Sequence, residues 1–563
     1  MTERCRIPEA ASDRWSRWRD RVLATALGLF TLGCAWMQAS LTPMGTPPDE
    51  WAHITHVHEI VVDGRLIPDY ADSRILPARK VGNYLGHPPL YYTAEGLAGR
   101  LAGWPDPAER VLPYRKLSAL FVAIGVGLWV LAGRTLGLPS TLLVATVAAA
   151  NAIPMFPYLA GSLNNDNLGY LAVALAVYGL VRLDAWPRAG CYIAALGLLM
   201  ALLTKATVVV FLLAFFACWL SLRMRRDGTA PEYRHLLGAM ALAAVVAVAY
   251  YLPVLARYGT PFPRSGQLRA DLGPPAEPLG PANLLSEFAR QMWQRLPEIS
   301  SHASLAPLAG PLTHAMYALL LLPLLAWVVS LASKAERERP AFAFGVAFIA
   351  ALGAMLAVHF FMFWQGYRAH GVLSGLQPRY YSFLLPGLFI IGFLACDRSR
   401  PVALLATTFS LLAALLLSVS PARSVQAQMA LLDAPPPTHL SLDGRHPDPG
   451  KEVSPPGMAG YVDEVAIRPG SIRIRGWAID AASRSRAQRV WVFIDHRPIG
   501  AVPTNRGRTD VARALGNFEA MRSGYAATIE TGDERIDACR LIVAAEQGDG
   551  TLAALVNNGC KTR

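Results

Sequence analysis

Apolar stretches long enough to cross a bilayer recur along this chain, and no other feature narrows its fold so far. A spanning helix needs about 20 predominantly apolar residues. Stretches of that kind fall at 22–41, 117–133, 139–157, 168–183, 189–204, 206–222, 236–255, 313–333, 341–363, 381–396 and 401–419, about eleven in all. Of the 563 residues, 53% are hydrophobic and only 16% charged, too few charges to clothe a soluble surface. The lipid bilayer is therefore a partner, and the fold class is a polytopic α-helical membrane protein. A formal charge of +12 would suit nucleic acid. Much of that excess, however, sits in short arginine-rich stretches between apolar segments, which is the pattern of cytoplasmic loops. Nucleic acid is not an expected partner.

Orientation follows from the same cations. Arg4, Arg6, Arg14, Arg17, Arg19 and Arg21 precede the first span and mark residues 1–21 as a cytoplasmic tail. The first apolar run is long and no small-x-small cleavage site follows, so it reads as a retained helix rather than a signal peptide. Counting onward, Arg134, then Arg182 and Arg188, then Arg223, Arg225 and Arg226, then Lys334, Arg337 and Arg339, and finally Arg398 and Arg400 fall inside. The transmembrane domain, 22–419, then presents two long outside loops, 42–116 and 256–312. A Pro-rich linker follows at 420–458. Alternation in 471–479 and 490–494 marks an extracytoplasmic β-sandwich at 459–563, with Trp477 expected in its core. Cys539 and Cys560 are the only cysteines of the tail. In an oxidising compartment they are expected to form a disulfide, worth about 3 kcal/mol on the chain-entropy model.

Five polar features fall on the outer face. In Pro47-Pro48-Asp49-Glu50-Trp51-Ala52-His53-Ile54-Thr55-His56-Val57-His58-Glu59, prolines and an acidic residue announce a helix start. Trp51, Ile54, Val57 and Val61 would form an apolar face lying along the membrane surface. Asp49, His53 and His56 share another face at i, i+4 and i+7. The blander reading makes Asp49 a helix cap and leaves the histidines in the headgroup zone. Next, His87-Pro88-Pro89-Leu90-Tyr91-Tyr92 suggests a rigid turn into a second interfacial helix. Asn164-Asn165-Asp166-Asn167 sits at the junction of two spans and would alone be an ordinary polar turn. Lys205 interrupts the apolar run 193–222 on the outside, against the positive-inside bias. Arg368 and Gln377-Pro378-Arg379-Tyr380 also break that bias, as cations facing an anion would. No span carries Asp, Glu, Lys or Arg near its midplane, where ion-coupled carriers keep such residues.

At these residues the sequence resembles the GT-C superfamily of membrane glycosyltransferases, above all the protein O-mannosyltransferase and lipid A aminoarabinose transferase group. The matching features are Asp49-Glu50 after the first span, His87-Pro88-Pro89-Leu90, Asn164-Asn165-Asp166, Leu203-Thr204-Lys205 and Pro378-Arg379-Tyr380, spread across roughly residues 20–400. Departures are Ala206, where the aminoarabinose-transferase type usually has Gly, and the Trp51-to-His58 histidine run. The resemblance implies a polyprenyl-phosphate sugar as donor, a glycan or lipid hydroxyl as acceptor, and inversion at the anomeric carbon. It also implies a bacterial inner membrane and a first-loop carboxylate as general base, Asp49 or alternatively Glu50. Lys205 and Arg379, with Arg368 third, are expected on the donor phosphate. His53, His56, His87, Asn165, Asp166 and Tyr380 are expected to position substrate. No cofactor follows from this, and whether a divalent cation assists stays open.

The sandwich residues Gly476-Trp477-Ala478-Ile479-Asp480, Asp510-Val511-Ala512 and Ser523-Gly524-Tyr525 are similar to accessory domains of bacterial surface-glycan enzymes. Three other readings compete: protein O-glycosylation, a flippase for lipid-linked sugars, and zinc binding by His53, His56, His58 and His87. The orientation is checked by reporter fusions, which should report cytoplasm after residue 226 or 339 and outside after residue 425. A cytoplasmic signal at 425 would divide the five features between two compartments and end the transfer reading.

Overall fold

The computed structural model describes residues 9–42, 44, 47–65, 87–228, 231–260, 280–295, 310–331, 340–370, 377–396 and 408. In the tail it describes 458–468, 470–480, 485–487, 489–495, 497–504, 506, 508, 511, 523–531, 540–546 and 552–557. Cys539, Cys560, the linker and the eleventh apolar stretch (apart from residue 408) lie outside these residues. Among the described residues, six helices are long and apolar enough to cross a membrane: Arg17–Leu41, Leu112–Thr135, Ala206–Arg226, Pro231–Tyr258, Ala341–Arg368 and Pro378–Ala395. Ser140–Ala152, Asp166–Val181, Pro187–Leu202 and Met316–Ser330 are shorter apolar helices. The stretch expected at 139–157 is broken: Ile153 is extended before Pro154, and a separate turn runs Met155–Ala160. Proline disfavours helical backbone in the residue before it.

Two of the short helices set the geometry that matters most. Asp166–Val181 and Pro187–Leu202 run antiparallel with their backbones almost touching. A Cβ on Gly197 would lie 2.5 Å from the Ala176 nitrogen, and one on Gly179 would lie 2.4 Å from the Ala194 nitrogen. Small residues permit this approach, and in lipid such packing is a main source of helix association. An antiparallel pair brings the first residue of one helix beside the residues that follow the other. Asp166 and Lys205 therefore meet at one end, about 24 Å of helix from Asp184 and Arg223, which pair at the other.

The described residues of the 42–116 segment fold onto this frame. Its helices Glu50–Val61 and Leu90–Ala102 share a core of Ile54, Val57, Ile60, Tyr91 and Tyr92, all fully buried, with Tyr114 and Leu163. The helix after Asp49 thus buries its apolar face in protein rather than along a membrane surface. Ile60 completes that face, while Trp51 and Val61 are only partly buried. Glu50 and Arg115 clamp the loop down. Arg115 Nε and Nη2 donate to the two Glu50 oxygens at 2.7 and 2.6 Å, and Nη1 donates to the carbonyls of Ala39 and Thr42. The second long loop contributes an amphipathic helix, Pro281–Arg295, whose Leu284 and Phe288 pack on Phe363 and Tyr367.

The tail forms two sheets around one core. Strand Ser471–Asp480 pairs antiparallel with Met458–Arg468 on one side and Gly524–Glu530 on the other. The second sheet holds Arg489–Ile494 between Arg497–Pro503 and Leu541–Glu546. Val462, Ile472, Ile474 and Ala478 of the first sheet meet Val490, Val492 and Val543 of the second. Trp477 is only half-buried and lies outside this core. With Ile472, Ile474 and Ala478 pointing inward, the period of two turns residue 477 to the other face.

The clamp predicts a stability effect. Glu50→Gln leaves a fully desolvated guanidinium without its counter-charge and should cost about 3–5 kcal/mol. Thermal unfolding in detergent would read this as a large fall in Tm, and an unchanged Tm would show the loop to be held some other way.

Candidate active site

Asp49 is the first piece. It adopts φ 59° and ψ 12°, a left-handed conformation that Asp tolerates better than most residues. Its carbonyl oxygen accepts the N–H groups of Ala52 and His53, so the residue sits where a cap would sit. Its side chain nevertheless makes no capping hydrogen bond. The carboxylate instead accepts Arg379 Nη2 at 2.5 Å. Arg379 lies in a tight turn, Pro378–Leu384, and is buried, while Asp49 keeps 21% of its side chain exposed. The contact excludes the plain capping role for Asp49.

A second pair stands beside it. The Asn164–Asn167 turn is buried and hydrogen-bonded rather than solvated: Asn164 Oδ1 accepts the Asp166 N–H, and Asn167 Nδ2 donates to the carbonyls of Leu159 and Ser162. Lys205 occupies an extended break between helices and reaches Asp166 Oδ1 at 2.5 Å. The Leu90 N–H donates to the Leu203 carbonyl, which ties the His87–Leu90 segment to that break. Asn165 Nδ2 spans the same junction, 3.0 Å from His87 Nδ1 and 3.3 Å from the Thr204 carbonyl. Both cations face one ring: Lys205 Nζ is 5.2 Å and Arg379 Cζ 5.7 Å from the centre of Tyr380.

The histidines back this arrangement. His53 Nδ1 is 2.9 Å from the Tyr92 hydroxyl, and His56 stacks on the Tyr92 ring at 3.7 Å. Burial holds the His53 imidazole well below the usual histidine range. The charge of His87 lowers it further, as do Lys205 and Arg379, while Asp49 opposes them. His53 is therefore a neutral ring inside the field of both ion pairs. Tyr92 is pushed well above the ordinary phenol range by burial, then by Asp166 and Asp49.

The remaining candidates lie elsewhere. Both Glu50 oxygens are taken by Arg115, and Oε1 also accepts the Leu163 N–H. Arg368 is exposed at its helix end with its guanidinium 5.4 Å from the Trp364 ring, and no described contact links it to the two pairs. His58 turns away to Asp106. Among the described residues, no three His, Cys, Asp or Glu side chains converge in a metal-ligating group. Sequence reasoning passed over Arg115, Tyr92 and Glu95. Arg115 carries the same signal as Arg379, a cation at the end of a span that borders a loop expected outside. Glu95 is fully buried with Oε1 accepting the Ser118 hydroxyl, and burial raises its carboxyl well above the usual range.

His53 makes acid stability testable. Its folded value lies below the unfolded value of about 6.5, so above that pH neither state binds the proton and the group contributes nothing to the slope. Below it the unfolded chain takes a proton that the fold refuses. Stability should then fall by up to about 1.4 kcal/mol per pH unit until the folded value is reached. Melting curves from pH 8 to 5 should show this slope in the wild type and a shallower one in His53→Asn. Parallel slopes would contradict the assignment.

No family model and no curated protein matches the chain. Among solved structures it is similar to the crystal structure of ArnT from Cupriavidus metallidurans bound to undecaprenyl phosphate, with 18% sequence identity and a TM-score of 0.42. The overlap covers 75% of this chain and 66% of that one, just under two thirds of its length.

Proposed function

We propose that the chain is an inverting glycosyltransferase. It moves one sugar from a polyprenyl-phosphate donor to a hydroxyl of a cell-envelope glycan or lipid at the outer membrane–water boundary. One observation carries the reading: two carboxylate–cation pairs, Asp49–Arg379 and Asp166–Lys205, meet around the single ring of Tyr380 although their residues are drawn from four separate parts of the chain. A transfer needs this combination. The acceptor oxygen attacks the anomeric carbon, a carboxylate takes its proton, and the bond from that carbon to the phosphate oxygen breaks. Negative charge then grows on the leaving phosphate, where fixed cations stabilise it.

The roles divide by environment. Asp49 is the base, because its carboxylate is partly exposed while that of Glu50 is enclosed and doubly bonded by Arg115. Arg379 and Lys205 hold the phosphate, Arg379 with the planar geometry suited to two of its oxygens. Asp166 keeps Lys205 in place. The neutral His53, locked to Tyr92, and His87, locked to Asn165, form the wall on which sugar or acceptor is oriented. Arg368 has no part in this centre. A single displacement inverts the anomeric configuration.

The experiment compares donor-lipid affinity with single-turnover rate in nanodiscs. Asp49→Asn should lower the rate about 100- to 10,000-fold while donor affinity is kept or raised. Lys205→Ala and Arg379→Ala should weaken donor binding and slow transfer together. Near-normal turnover by Asp49→Asn would defeat the base assignment, and full transport of lipid-linked sugar by that variant without transfer would favour the flippase reading.

A further inference from the structure

The contact between Asp49 and Arg379 bears on how the reaction ends. Asp49 is the group whose charge the transfer changes. It starts as a carboxylate paired to Arg379 at 2.5 Å and finishes as a neutral acid carrying the acceptor's proton. The phosphate moves the opposite way. The donor diester has one negative charge, and the released monoester has up to two near neutral pH, since its second ionisation lies near 6. One negative charge therefore leaves Asp49 in the same step in which another appears on the phosphate. Arg379 attracts both.

We propose that Arg379 exchanges partners during turnover: it holds the polyprenyl phosphate while Asp49 is protonated, and returns to Asp49 when that proton leaves, releasing the lipid product. This rests on the transfer reading above and adds to it a rule for product release. Bond-making and bond-breaking are those of the displacement, acceptor oxygen to anomeric carbon formed and anomeric carbon to phosphate oxygen broken. The proton passes from the acceptor to Asp49 and then to water.

The surroundings favour Asp49 as the switching group. Among the described residues, Asp49 acts on Arg379 and Tyr380 from the 378–384 turn, on His53 of its own helix and on Tyr92 of the second loop helix. His87 and Lys205 act on the same His53, and Asp166 on the same two tyrosines. Burial keeps His53 neutral, and Tyr92 is held protonated. Lys205 has its own carboxylate in Asp166, which gains no proton in the reaction. The left-handed backbone at Asp49 also matters, because Asn accepts that conformation as Asp does. Asp49→Asn thus imitates the protonated state without disturbing the turn.

The test is equilibrium binding of a short-chain polyprenyl monophosphate to the full chain in nanodiscs at pH 8, where the phosphate is a dianion. Wild type, Asp49→Asn, Arg379→Gln and the double variant are compared, each first checked by thermal unfolding. Asp49→Asn should bind the monophosphate about tenfold or more tightly than wild type, within the usual span for two linked ligands. In the Arg379→Gln background the same change should have little effect, as a double-mutant cycle reads it. A gain of equal size with and without Arg379 would mean that Asp49 merely repels the anion, and would overturn the exchange while leaving the transfer reading standing. No gain at all would overturn it likewise. Failure of every variant, wild type included, to bind the monophosphate would remove the donor reading and this proposal together.

Discussion

The pairing of Glu50 with Arg115 is the contact on which the fold of the 47–115 segment over the helices depends. Two opposite charges far from water are tolerable only if each is matched in geometry and its remaining polar atoms are satisfied. Arg115 meets that demand by gripping both Glu50 oxygens and two carbonyls at the end of the first long helix. Glu50 is the first residue of the loop helix, so the clamp fixes where that helix begins. Asp49 is one residue earlier. A pair outside the proposed chemistry thus sets the position of the residue to which that chemistry is assigned, and neighbouring carboxylates acquire different partners from their surroundings.

Each of the four charged groups of the centre lies where a helix stops or starts. Asp49 precedes one helix, Asp166 opens another, Lys205 separates two, and Arg379 belongs to a short tight turn ahead of a helix. This follows from the solvent. Within a bilayer the backbone is satisfied only by continuous helix, so ionisable side chains and irregular backbone gather where protein or water encloses them. Close packing of the two glycine-bearing helices converts that general rule into a distance, because it fixes the opening of one against the break after the other.

Much of this was legible beforehand, for reasons that differ by residue. Lys205, Arg379 and Arg115 stand out as cations in segments that the positive-inside pattern assigns to the outside. The break at Lys205 could be read because one helix cannot use an apolar run that long. Asp49 and Glu50 could not be told apart, since adjacent carboxylates differ only through partners far along the chain. The loop helix looked interfacial because periodicity reports an apolar face and not what covers it, and the cover proved to be Tyr91 and Tyr92. Trp477, expected in the core, lies on the other face of its strand, as the alternation of Ile472 and Ile474 already implies.

The contact of Asp49 with Arg379 joins positions 330 residues apart. During synthesis the carboxylate is made early and its guanidinium late, after most of the helices between them. Until the turn at 378–384 is in place, Asp49 has no Arg379 and the Asp166–Lys205 pair has no Tyr380 ring beside it. A chain that stops short of it keeps the Asp166–Lys205 pair but leaves Asp49 without Arg379. Assembly of the helices and completion of the paired charges are in this sense one event, and the last turn to arrive is the one that completes it.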